Sequence, residues 1–131
     1  MSGIETILDG IETAVEATVD STLTNWEVEL VLALEEFAER TIYVKPGTET
    51  DRHYYVGGTK YHSDISVEMY FAALTTEELT IAIEAVYNEI CPRVLTYSLL
   101  SFETVEFEIG EGDEQSLHCA SVVAHYYYES A

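Results

Sequence analysis

From Asp64 to Phe71 the chain alternates without a break: Ile65, Val67, Met69 and Phe71 are interleaved with Asp64, Ser66, Glu68 and Tyr70. A period of two sends successive side chains to opposite faces, so this stretch fits a strand with one face in a core and one in water. The rest of the chain has to supply partners for that strand and a cover for its apolar face.

Two helical stripes offer the cover. Ile4, Ile7, Leu8, Ile11, Val15 and Val19 recur at spacings of three and four, with Glu5, Asp9, Glu12, Glu16 and Asp20 opposite them, which predicts an amphipathic helix. Thr75 followed by Glu78 makes a capping box, and Leu79, Ile83, Val86 and Ile90 predict a second stripe up to Pro92, where proline disfavours helical geometry at Cys91. Between them, Asp20 to Asn25 is a cap-rich break. Trp26, Leu30, Ala33, Leu34 and Phe37 then continue at helical spacing, which reads as a further helix to about Glu39. Val28, Leu30, Leu32 and Leu34 also alternate, so a strand there stays open as the alternative.

The remaining partners are short and β-branched or aromatic. Thr41 to Lys45 predicts a strand that Pro46-Gly47 ends with a turn. Thr48 to Lys60 reads as a long, partly paired excursion around Tyr54-Tyr55-Val56. Val105, Phe107 and Ile109 alternate with Glu106 and Glu108, predicting a strand with the carboxylates on its wet face. Gly110 to Glu114 connects it to a last strand over about 116–128, forming a hairpin. Residues 1–131 therefore read as a single domain of two to three helices and four to five strands.

Charge is segregated along this frame. Residues 40–60 hold four of the five basic residues, Arg40, Lys45, Arg52 and Lys60, against two acidic ones, a balance of +2. The other 110 residues carry one basic residue against 23 acidic, a balance of −22. Two electrostatic faces favour oriented association. A net charge of −20 with only two lysines suits a salty cytoplasm, because at about 1 M salt the Debye length falls to about 3 Å. This reads as halophilic adaptation. The same charge opposes direct nucleic-acid binding and would let a duplex pass a carboxylate-lined channel without sticking.

Motifs for chemistry are sparse. His53, His62, His118, His125 and Asp64 show no metal-ligand spacing; His118 and His125, seven apart in a strand, fall on opposite faces. Gly57-Gly58 has no phosphate clamp after it, and no nucleophile elbow occurs. Glu103, Glu106 and Glu108 read as a solvated face rather than an acid/base pair. Cys91 and Cys119 form no CxxC motif and read as buried free thiols. No run is long enough to span a bilayer and no export signal is present, so the expectation is a soluble protein that is not an enzyme, with no cofactor. Ten tyrosines, with Tyr54-Tyr55 and Tyr126-Tyr127-Tyr128 as clusters, are candidate contacts.

The order of elements, with a strand ending at Tyr43-Val44, a charged excursion, the strand 64–71, a helix opening Thr75-Thr76-Glu77-Glu78-Leu79 and a closing hairpin, resembles the tail terminator or tail completion proteins of tailed viruses. The resemblance covers residues 1–128. It implies an α+β fold with an antiparallel sheet packed on helices. It also implies a homo-oligomeric ring, a hexamer, that caps the tail tube in the virion. Such a ring joins the tube to neck or connector proteins and leaves a lumen for DNA. It places the excursion, and with it Arg40, Lys45, Arg52 and Lys60, in ring or neck contacts; Tyr54 and Tyr55, candidate contacts on their own account, lie beside them and complete the candidate partner-binding residues. The alternative from another class is an acidic DNA-mimic inhibitor of a nucleic-acid-binding protein.

Overall fold

The computed structural model describes residues 3–34, 36–90, 97–110 and 116–130, with 97 and 98 as backbone only. The element order is α1 (Gly3–Ser21), β1 (Glu27–Leu30), β2 (Thr41–Tyr54), β3 (Tyr61–Ala73), α2 (Thr76–Ile90), β4 (Tyr97–Ile109) and β5 (Leu117–Glu129). The five strands form one sheet in the order β1-β2-β3-β5-β4. The fold is α+β, as expected, with two helices and five strands among the described residues, inside the expected two to three and four to five.

Alternation in β3 sorts the sheet into two faces. Ile65, Val67, Met69 and Phe71 are all buried, and they align with Tyr126, Ala124, Val122 and Ala120 of β5. Ile42 and Val44 of β2 complete this face, against which α1 lays Ile7, Ile11 and Val15 and α2 lays Leu79, Ala82 and Val86. Each fully buried Ile, Val, Leu or Phe side chain contributes roughly 1.5–3 kcal/mol, so this layer dominates stability.

The expected helix over 26–39 is not formed. Trp26 is buried, Glu27–Leu30 is β1, and the described residues from there to Arg40 form no regular element. β1 pairs in parallel with Thr41–Val44, so the sheet is mixed rather than purely antiparallel. Tertiary pairing with the buried start of β2 overrides the helical spacing. The returning segment crosses the sheet face opposite the helices, where Phe37 packs edge-on against Tyr43, Tyr70 and Phe107 at centroid distances of 5.8, 6.3 and 5.7 Å.

Pro46-Gly47 does not end a strand. β2 continues to Tyr54, and the pair marks a register shift between Pro46 and Glu49, with a second between Thr50 and His53. Proline cannot donate to the ladder, which confines it to edges and bulges, and here β1 has ended two residues earlier. A Cβ on Gly47 would lie 2.3 Å from the Ser66 carbonyl oxygen, so only glycine permits this approach; Thr48 N–H then donates to Ser66 Oγ at 3.0 Å. The excursion expected over 48–60 is thus mostly paired strand.

The expected inward face of β4 is reversed. Register with β5 sets Val105 opposite Ser121 and Phe107 opposite Cys119, on the side away from the helices. Val105 is 65% exposed and Ile109 38%. Leu99 and Phe102 pack toward the core instead, with a register shift between Leu99 and Ser101. Glu106 and Glu108 are exposed, as expected. Cys119 is a buried free thiol, and Cys91 lies outside the described residues.

Candidate functional site

The β2–β3 hairpin, with Arg40 immediately before it, carries Arg40, Lys45, Arg52, Tyr54, Tyr55 and Lys60, but it spreads them along its length. At a rise of roughly 3.3 Å per residue, Arg40 and Tyr54 stand about 40 Å apart, so the four cations are not one patch. Arg40, at the near end, donates from Nε to Glu78 at 3.1 Å in the first turn of α2. Lys45 lies mid-sheet, its Nζ 3.1 Å from Glu68 directly across the ladder. Arg52, Tyr54, Tyr55 and Lys60 gather at the far end.

Intramolecular pairing consumes most of the positive charge. Arg52 donates from Nε to Glu49 at 2.7 Å and from Nη1 to the Tyr54 hydroxyl at 3.2 Å, and its guanidinium stacks 4.0 Å over the Tyr61 ring. Glu68 and Glu78 lie outside residues 40–60 and offset the +2 of that segment. Among the described residues Lys60 makes no ion pair, and it is exposed.

Two aromatic ladders stiffen the far end, one on each face. On the helix side Tyr54 meets Tyr61 at 5.5 Å and Tyr61 meets Tyr128 at 6.1 Å. On the other side His53 stacks on His62 at 5.2 Å and His62 on Tyr127 at 5.6 Å, with Tyr55 tilted onto His62. The Tyr55 hydroxyl donates to Glu129 at 2.6 Å. That bond holds the Glu129 carboxyl below its ordinary range and pushes the Tyr55 phenol up.

Beyond the ladders a loop over 55–60 is closed by Tyr55 N–H donating to the Lys60 carbonyl at 2.9 Å. Its tip presents Val56, which is fully exposed, beside Tyr54 at 60% and Tyr55 at 45%. An exposed apolar residue flanked by tyrosines has the residue types of an interface core, and Lys60 beside it has that of a polar rim.

The sequence pointed to Tyr54, Tyr55 and Lys60 but missed Val56, Tyr61 and His62. Cross-strand pairing brings the last two together, and the alternation of 61 and 62 with 53 and 54 was the signal that would have found them. Strand alternation also divides the Tyr126-Tyr127-Tyr128 cluster. Tyr126 and Tyr128 are buried on the core face and Tyr127 joins the histidines.

His118 and His125 fall on opposite faces of β5, beside Glu108 at 3.3 Å and Glu103 at 3.8 Å. Among the described residues no group of three His, Cys, Asp or Glu is placed to hold a metal, and no helix is long and apolar enough to cross a membrane. No protein-family model matches this sequence, and a search of curated proteins returns no significant match.

Proposed function

We propose that this chain is a structural virion protein that assembles as a homo-oligomeric ring, a hexamer, to cap a tail tube. The ring joins the tube to the neck and leaves a lumen for DNA. The observation that carries the reading is the tip of the β2–β3 hairpin, an exposed apolar knob braced by tyrosines on a subunit whose surface is otherwise acidic. A stiff, non-catalytic projection serves docking, and an acidic lumen repels a duplex rather than retaining it. The charge of −20 further fits a virus of a halophilic host, where salt screens repulsion between neighbouring subunits.

Electron microscopy of purified particles tests this. The expected result is a six-fold ring of this chain at the head-proximal end of the tube, and particles carrying Arg52→Glu with Lys60→Glu that lose infectivity. Absence of the chain from particles, or full infectivity of the double variant, overturns the reading.

A further inference from the structure

We infer that the receptor for the hairpin tip is the groove between α1 and α2 of a second copy of this chain. This deepens the ring reading by naming the two surfaces that meet. The groove has a volume of about 370 Å³ and is bordered by Thr18 of α1 and by Ile81, Glu84, Ala85 and Glu89 of α2. Its apolar element, Ile81, is 50% exposed although it sits on a packed helix, and Glu84 beside it is exposed. The tip is its complement: Val56 is the apolar element, and Lys60 is an exposed cation that makes no ion pair among the described residues, its charge reaching the Glu129 carboxyl only at longer range.

The two glycines after Val56 support entry into a groove. Gly57 has a φ of +77°, which its place in the turn requires. Gly58 has neither reason: its φ lies outside the left-handed region, and a Cβ there would meet only the Lys60 nitrogen, at 3.8 Å. The turn itself does not need a glycine at position 58, but a slender tip that must approach another surface closely does. Knob and groove lie on different parts of the subunit, so in the ring each copy's tip engages the groove of the next, head to tail, until the ring closes. Opposite charge sets its register, with Lys60 facing Glu84.

Sedimentation velocity on the full chain at about 1 M salt, over a range of concentrations, tests the pairing, with circular dichroism to confirm that each variant is folded. Val56→Asp and Glu84→Lys are each expected to weaken association by at least about tenfold, as for central interface residues. Mixing the two is expected to restore one contact per pair, because one retains a working groove and the other a working tip. Lys60→Glu combined with Glu84→Lys is expected to recover association lost in either alone. The inference is overturned if wild-type chain stays monomeric, if Val56→Asp associates normally, or if the mixture stays dissociated. A closed two-fold dimer with the same variant dependence would keep this contact and overturn the ring.

Discussion

The guanidinium of Arg40 donates to both oxygens of the Glu78 carboxylate, at 3.1 and 3.4 Å, and so ties the start of β2 to the first turn of α2. Glu78 was expected to close a capping box, and half of one is present: its N–H donates to Thr75 Oγ1 at 3.1 Å. Its side chain turns to Arg40 instead. Arg40 itself holds a φ of +50°, a conformation that costs a non-glycine residue about 1–2 kcal/mol. Arg40→Ala is therefore expected to destabilise by about 1 kcal/mol through the lost fork. Arg40→Gly, which relieves the backbone as it breaks the same contact, should fall near wild type in urea unfolding.

Gly47 provides a sharper backbone test. Its would-be Cβ collides with main-chain and side-chain atoms of Ser66, neither of which is a flexible end. Gly47→Ala is expected to cost about 1–3 kcal/mol by thermal or urea unfolding, with amide exchange accelerating at Thr48 as its bond to Ser66 opens.

Glu12 is a carboxylate that the fold disfavours. Burial raises its pKa first, and repulsion from Glu16 and Asp9 adds to it. A raised pKa means the native state holds the proton more tightly, so stability is fullest below the unfolded value and falls as pH rises through the native one. Glu12→Gln is expected to raise the unfolding midpoint at pH 7, with the gain vanishing near pH 4.

The Tyr55–Glu129 bond has the opposite sign. A lowered carboxyl pKa contributes stability above the unfolded value of about 4.5 and loses it as pH falls through the native one. In Tyr55→Phe, carbon-13 titration of the Glu129 carboxyl should move up toward its ordinary range, and the acid limb of the stability curve should flatten correspondingly.

Salt should act on the whole subunit. With a net charge of −20, raising KCl from 0.1 M to about 1 M shortens the Debye length from about 10 to about 3 Å and removes long-range repulsion. Thermal midpoints are expected to rise over that range, and a flat response would show that repulsion among the carboxylates contributes little to stability.

Both helices and the buried face of β3 were legible because their periodicity is set by one dominant partner, the core. β1 was not, because Leu30 and Leu34 satisfy periods of 2 and 3.6 equally well and only pairing with Thr41–Val44 decides between them. β4 misled for a different reason: both of its faces carry apolar residues, and the choice between Phe102 and Phe107 as the inward one is made by register with β5. In the candidate site, the residue types pointed to Tyr54, Tyr55 and Lys60. The neutralisation of Arg40 and Lys45 by Glu78 and Glu68 was invisible, since those partners lie 38 and 23 positions away along the chain.

β5 leaves the ribosome after the four strands it shares a sheet with, yet it occupies an interior place in that sheet, between β3 and β4. Neither β4 nor the outer flank of β3 has a ladder partner until Leu117–Glu129 has emerged. The growing polypeptide thus exposes the outer flank of β3 from the time Ala73 emerges until β5 follows, and that of β4 more briefly, with its abundant carboxylates as the chief deterrent to premature aggregation.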